Sequence, residues 1–343
     1  YSCYSWPILI THSCTFVLIV SASTRILIIR FSSIGDIVLT TPIVRTLKTQ
    51  LEGEVEIDFI TKKGFAAMLE SNPHISTVIS IEKNVNEVAT RLQDKHYDYV
   101  IDLHNNIRSK QVKQLVKMID FTVDKRNVAK WIYVNTKRQW LPIGHFVNRY
   151  FMAISPLGVI DDQQGLDYFI PDADRVGLDT LPSNFQSSYI AYAIGGQTPG
   201  KILPTDKIIR LCQKINKPIV LLGGEEDADR GEEIAKQVGS NIWNACGKFN
   251  LNQSASLIDQ AECVITHDTG LMHIASAFKK KVISLWFATT PEIGFAPWMP
   301  GEGSVIIEAD SKKRPTSKLG NRGYQDGSVF NVDLDRIAQA VID

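Results

Sequence analysis

Cys263–Ala277 reads C-V-I-T-H-D-T-G-L-M-H-I-A-S-A, and the way this stretch must fold decides the architecture. The run Cys263–Thr266 has the apolar, β-branched composition of a strand buried on both faces. It ends in His267-Asp268, and Thr269-Gly270 opens a helix expected over Leu271–Phe278. A helix start directly after a parallel strand presents free backbone N–H groups and a partial positive charge, which suit a phosphate. Gly270 permits close backbone approach, and the Thr269 hydroxyl adds a donor. A plainer reading makes Asp268 an N-cap and His273 a core residue of the first turn. Spacing alone does not separate the two.

The same alternation extends outward in both directions. Upstream, strands are expected at Tyr189–Ile194, Pro218–Leu222 and Asn241–Ala245, and downstream at Val282–Phe287. Helices fall at Asp206–Ile215, Ala228–Val238, Leu251–Gln260 and Leu334–Ile342. A second, earlier series starts at Arg25–Arg30, R-I-L-I-I-R. It continues through a turn and a helix ending at Gln50, with further strands at Val55–Thr61, Val78–Ile81 and Tyr97–His104. Helical segments lie near Phe65–Glu70, Val85–Lys95 and Ser109–Met118. Such βαβ alternation builds a parallel sheet with helices on both faces. Asp161–Ser188 breaks the rhythm with Pro171, Pro182 and scattered Asp and Ser residues. The chain is therefore read as α/β, with two doubly wound Rossmann-like domains at 25–165 and 189–343 joined by a linker at 166–188. Their ligand crevice lies at the carboxyl ends of the strands.

With 343 residues there is enough chain for two cores. Lys plus Arg equals Asp plus Glu at 37 each, a balance that points to no nucleic-acid partner. Charge is nevertheless concentrated. Between Asn105 and Tyr150, ten basic residues oppose only Asp120 and Asp124. Trp131, Tyr133, Trp140, Phe146 and Tyr150 are interleaved with them. That stretch reads either as a solvated helical face or as a surface meeting an anionic membrane or phosphorylated glycolipid. The five cysteines are odd in number and show no metal-ligand spacing, as expected for a reducing compartment without structural zinc. Residues 1–24 form an atypical apolar leader. It is read as lying outside the native mature sequence, with a membrane anchor or packed structure as the alternatives.

Four further segments could carry chemistry. Gly195–Pro204, G-G-Q-T-P-G-K-I-L-P, could bring backbone N–H groups and Lys201 onto a diphosphate, or leave a solvated loop lysine. Leu221–Glu225 places Glu225 just past a strand end, where a carboxylate can bond ribose hydroxyls or serve as a helix cap. Ser32–Asp36, S-S-I-G-D, lacks the G-x-G-x-x-G of a dinucleotide site. It projects Asp36 instead, as a general base or a cap. Ile101–Asn106, followed by Arg108, offers His104, Asn105 and Arg108 to a hydroxyl-rich or acidic ligand. The D-x-D patterns Asp172–Asp174 and Asp227–Asp229 lie in the linker and at a helix start, and neither is assigned a metal.

Taken in order, S-S-I-G-D, I-D-L-H-N-N-I-R-S, the lysine loop, G-G-E and H-D-T-G-L-M-H-I-A-S-A resemble glycosyltransferase family 9, the ADP-heptose lipopolysaccharide heptosyltransferases. The resemblance runs from about Arg25 to the C-terminus and implies a GT-B architecture with inverting, metal-independent transfer and no cofactor. It implies Asp36 as catalytic base. Lys201, Asp268, Thr269, Gly270, His273 and Glu225 would then hold an ADP-linked sugar. His104, Asn105 and Arg108 would face an acidic glycolipid acceptor. The expected location is cytoplasmic, peripheral on the inner membrane face. Ile202-Leu203 depart from the aromatic or Arg that many members carry after the loop lysine, which leaves the donor's sugar or base contacts open. The rival readings are an NAD-linked oxidoreductase and a non-catalytic nucleotide- or sugar-binding protein.

Overall fold

A computed structural model describes residues 23–316 and 320–343. The apolar leader, apart from its last two residues, lies outside the described residues. The first sheet contains β1 (Thr24–Ile29), β2 (Val55–Lys62), β3 (Thr77–Ile81), β4 (Tyr99–Asp102) and β5 (Ile119–Thr122), in the order β3-β2-β1-β4-β5. All of its pairings are parallel. Helices α1 (Ile34–Val38), α2 (Thr41–Gln50), α3 (Ala89–Asp94), α4 (Ile107–Val116), α5 (Asn127–Thr136) and α6 (Phe146–Ile154) belong to this half. The second sheet contains β6 (Ile190–Ala193), β7 (Ile219–Leu222), β8 (Ile242–Asn244), β9 (Cys263–His267), β10 (Lys281–Trp286) and β11 (Val305–Glu308). Its order is β11-β10-β9-β6-β7-β8, again wholly parallel. Helices α7 (Thr205–Ile215), α8 (Ala228–Val238), α9 (Leu251–Gln260), α10 (Gly270–Ala277) and α11 (Leu334–Ile342) accompany it.

Side-chain alternation sets the layers. Along β1, Ile26 and Ile28 join one apolar cluster while Leu27 and Ile29 join another. Along β9, Val264 faces the first cluster, and Cys263 and Ile265 face a third. Period-two burial on both faces is what a strand covered by helices on both sides requires. The cluster containing Ile26 and Val264 is continuous across both halves, so the two domains share an apolar contact as well as a cleft. Both strand orders reverse direction beside the first strand of the domain, between β1 and β4 and between β6 and β9. Those switch points, at the strand carboxyl ends, open a crevice in each domain.

The helix expected to end at Gln50 is two helices. A continuous helix would set the Pro42 ring against the Val38 carbonyl and lose a hydrogen bond there. Instead the chain breaks at Leu39-Thr40 and places Pro42 in the first turn of α2. The Thr41 hydroxyl bonds the freed Val38 carbonyl at 2.8 Å, and the Ile37 carbonyl accepts both the Thr40 N–H and the Thr40 hydroxyl, at 2.9 and 2.7 Å. The strand expected over Tyr97–His104 stops at Asp102. There the buried carboxylate turns the chain by accepting the His104 and Asn105 N–H groups at 3.0 and 2.6 Å. Phe65 sits in a 3-10 turn (Lys63–Met68) rather than an α-helix. The basic stretch is also not one surface. Phe146, Arg149 and Tyr150 are buried. Arg149 is spent on the Lys125 and Ile293 carbonyls at 2.9 and 3.0 Å.

Candidate active site

The two switch points face one another across a cavity of about 380 Å³. From the first domain come Ser33, Ile34, Gly35 and Phe65. From the second come the Gly195–Thr198 loop and Lys201, Gly223 and Gly224, and Asp268 to Leu271. Where the domains meet, α1 packs on α10 at very short range. A Cβ on Gly35 would lie 2.5 Å from His273 Cδ2, and one on Gly270 would lie 2.6 Å from Ile34 Cβ. Glycine is required at both positions by space, since neither has a positive φ.

On the second-domain side, Lys201 Nζ pairs with Asp268 Oδ2 at 2.7 Å. The same carboxylate oxygen accepts the Thr289 hydroxyl at 3.0 Å. The pair holds the lysine over the start of α10, beside the free N–H groups of Thr269 and Gly270. The Thr269 hydroxyl lies 3.3 Å from that of Thr266. His273 is buried at the seam against Gly35 rather than on the cavity wall, and Nδ1 has no partner. Burial pushes its pKa down to about 4, so the ring is neutral near pH 7. Glu225 is exposed and off the wall, which carries Glu226 and Asp227 instead. Asp227 bonds the Gly224 N–H at 3.1 Å and pairs with Arg230 at 2.5 Å. Asp174 accepts from Asn250 and Asn252 at 2.8 and 2.9 Å. Phe249, Leu251 and Ser254 also line the cavity, and with Phe65 they add a largely apolar surface that the sequence patterns do not single out.

Asp36 follows immediately behind the Ser33–Gly35 wall, its side chain 17% exposed. Oδ2 accepts the Ser33 N–H and hydroxyl at 3.2 and 2.8 Å, so Asp36 does help cap α1. Oδ1 touches the Arg30 guanidinium at 2.5 Å yet lacks an aligned hydrogen bond. Arg30 is fixed in turn by the Ser32 and Leu103 carbonyls and the Tyr150 hydroxyl, at 2.8, 2.5 and 3.2 Å. Burial works to raise the Asp36 pKa, but Arg30 and the Ser33 hydrogen bonds outweigh it and hold the group below its ordinary value. Beyond Asp36 lie His104, Lys125 and Lys130, each sensing its charge. Burial, with Arg30 next in effect, pushes His104 down to about 3. Its Nδ1 accepts the Phe31 N–H at 3.4 Å. The Arg108 guanidinium stands 5.5 Å from the Phe31 ring centre. Asn105, in the left-handed region at φ 49°, gives its side-chain amide to the Val123 carbonyl at 2.9 Å.

The site therefore has a carboxylate on one domain, and a lysine and a helix start on the other. Residues 85–321 match the profile of Glycosyltransferase family 9 (heptosyltransferase). The chain belongs to glycosyltransferase family 9. It is 25% identical over 310 residues to lipooligosaccharide heptosyltransferase 2 of Haemophilus influenzae, covering 82% of this chain and 88% of that one. A family 9 glycosyltransferase from Veillonella parvula superposes with a TM-score of 0.75 at 20% identity, covering 93% and 96% of the two chains. The Escherichia coli ADP-heptose lps heptosyltransferase II gives a TM-score of 0.70 at 19% identity, with 93% and 98% covered. Both structures share the GT-B fold seen here, two parallel α/β domains facing across a cleft. Asp36 lies upstream of the profile match, so its place in this family 9 enzyme rests on its own geometry. Arg30 escaped the sequence reading although it closes the quoted R-I-L-I-I-R strand. An Arg closing an otherwise apolar strand was the available signal. Among the described residues, no helix is long and apolar enough to cross a membrane.

Proposed function

We propose that this glycosyltransferase moves heptose from an ADP-linked donor onto a lipopolysaccharide core or related acidic glycolipid. In this reading the transfer is inverting and metal-independent, and occurs at the cytoplasmic face of the inner membrane. One observation carries it. The Asp36 turn and the Lys201–α10 pair bound a single cavity from opposite domains. The diphosphate is read at the helix start, where fixed N–H groups and Lys201 receive the charge that develops as the anomeric C–O bond breaks. The acceptor enters from the first domain, and Asp36 takes the proton of its hydroxyl as that oxygen attacks the opposite face of the sugar. Phe65, Phe249 and Leu251 suit a flat base. Glu225 remains the proposed ribose partner, reaching it by a side-chain rotation from its exposed position. His104, Asn105 and Arg108 form the proposed acceptor side, with Lys125 and Lys130 extending it. The name of the E. coli structure supports the ADP-heptose assignment.

The test is transfer from ADP-heptose to a core glycolipid, followed by mass spectrometry of the product and by ADP release. Equal amounts of glycosylated lipid and ADP, unaffected by EDTA, are expected. Hydrolysis without transfer, or activity that EDTA abolishes and magnesium restores, would contradict the proposal. In the same assay Lys201→Ala should weaken ADP binding by about 1.5–3 kcal/mol, the usual worth of a charge-assisted hydrogen bond. Unchanged ADP affinity would remove Lys201 from the diphosphate site.

A further inference from the structure

Behind Lys201 and Asp268 lies a segment that the sequence patterns do not single out. β10 ends at Trp286, and Phe287, Ala288 and Thr289 carry the chain past its carboxyl end, all three buried. Their carbonyls lie beyond the strand and need partners of another kind. Arg314 and Thr316 supply them. The Arg314 guanidinium, its side chain 9% exposed, donates to the carbonyls of Phe287, Thr289 and Ala309, the last two at 2.6 and 3.0 Å. It also pairs with the Glu308 carboxylate at 2.9 Å. The Thr316 N–H and hydroxyl reach the Ala288 carbonyl at 2.9 and 3.3 Å. From the first domain, Lys137 donates to the Pro315 carbonyl between them. The segment held in this way makes two further contacts, one on each side of Lys201. The Ala288 N–H donates to the carbonyl of Gly200, the residue before the lysine, at 2.9 Å. The Thr289 hydroxyl donates at 3.0 Å to Asp268 Oδ2, the oxygen that pairs with Lys201. Gly200 is pressed against the segment, since a Cβ there would stand 2.9 Å from that of Ala288.

We propose that Arg314 is a positioning residue for the transfer reaction, acting through Lys201. By holding Phe287–Thr289 it fixes both the backbone in front of the lysine and the carboxylate that aims the ammonium. The inference rests on the reading of Lys201 as the diphosphate ligand. A lysine ammonium is a compact charge on a flexible four-carbon stem, and it serves a leaving group best when held in place beforehand. Asp268 does the holding at 2.7 Å, and the Thr289 hydroxyl bonds the same oxygen. A guanidinium suits the post behind them, because its planar fork serves four acceptors at once, whereas an ammonium has three donors and no fixed plane. Bonds to buried carbonyls alone would stabilise the fold. Here the carbonyls belong to the residues that touch Gly200 and Asp268, so the guanidinium bears on the site as well.

The test is a double-mutant cycle on ADP binding, measured by isothermal titration for the full chain, Arg314→Lys, Lys201→Ala and the two combined. Circular dichroism establishes that each is folded. Arg314→Lys is expected to bind ADP about tenfold more weakly, within the range of coupling between members of one hydrogen-bonded network. In the Lys201→Ala background the same change should add less than about twofold, because the lysine through which it acts is gone. The donor KM should rise in Arg314→Lys while the acceptor KM does not. A lower Tm with unchanged ADP affinity, or the same loss of affinity in both backgrounds, would make Arg314 a structural residue and overturn the proposal. Should Arg314→Lys fail to fold, Thr289→Val keeps the side-chain shape, removes only the hydroxyl on Asp268, and carries the same cycle with the same two outcomes. If Lys201→Ala binds ADP as tightly as the wild type, the diphosphate reading falls and the proposal falls with it. If Lys201→Ala loses affinity and Arg314→Lys does not, the proposal falls alone.

Discussion

Asp36 is held ionised by Arg30, and that decides what kind of base it can be. With its pKa below the ordinary carboxylate value, the group is ready to accept a proton at any physiological pH, and its contribution comes from position more than from basicity. Removing Arg30 would leave only the Ser33 hydrogen bonds against burial and push the Asp36 pKa up. The carboxylate would then be lost by protonation as pH falls. Arg30→Gln is therefore expected to depress kcat/KM most on the acid side, moving the acid limb to higher pH. Arg30→Lys should restore much of the profile. A loss that is the same at every pH would make Arg30 a purely structural residue. The sequence shows an Arg and an Asp six residues apart but not their contact. That contact depends on Leu103 and Tyr150, remote in the chain, which fix where the guanidinium lies. Asn105 shows the same limit. It reads as a ligand residue, and the pattern does not show that its side-chain N–H already donates to the Val123 carbonyl or that its backbone takes a left-handed turn.

Among the elements, α1 and α10 matter most, because their contact sets the distance between Asp36 and the helix start proposed to hold the diphosphate. Gly35→Ala would drive a methyl into the His273 ring, which is itself buried and cannot retreat. Separation of the helices is expected to cost about 1–3 kcal/mol of stability, as overpacking does. A displacement of the order of 1 Å at the reacting atoms would lower kcat about 10²-fold. Urea unfolding and steady-state kinetics would measure both, and wild-type values for both would show the seam to be loose. The second domain's strands and helices were legible because each is apolar, β-branched or strongly amphipathic; α8, α9 and α11 fall where the periodicity puts them. The edge strands β5 and β11 were not. Each is four residues long and half-exposed; β5 alternates apolar and polar residues, and β11 has only three apolar residues before Glu308. Nor was the split between α1 and α2, although Pro42 gave the reason for it.

At the scale of the whole molecule, the cleft is braced by neutral histidines. Burial pushes His267 down to about 3 and His273 to about 4, whereas each titrates near 6.5 once unfolded. Both folded values are depressed, so the unfolded chain binds more protons as pH drops below about 6.5 and stability falls. One pH unit below that point should cost about 1.4 kcal/mol per histidine, roughly 3 kcal/mol together. Urea midpoints at pH 7.5 and about 5.5 should show at least this loss, since burial pushes His104 and His145 down as well, and equal midpoints would mean the rings are solvated. The two-domain plan was legible from alternation alone, while the sidedness of the basic segment was not. The same ten cations supply a buried clamp at Arg149, an inward ammonium at Lys130 and an outer surface at Arg138, a division made only when α5 and α6 pack against the second domain. The account's central claim is that the two domains divide one reaction, the second binding the diphosphate and the first supplying the base. Turnover of ADP-heptose by Asp36→Asn, at saturating donor and acceptor, tests it most directly. Because the substitution leaves Arg30 unpaired, some stability will be lost, so the comparison is made on folded protein with ADP affinity measured alongside. The account predicts a rate roughly 10²–10⁴-fold below wild type with ADP affinity retained; a variant that turns over within about tenfold of wild type would contradict it.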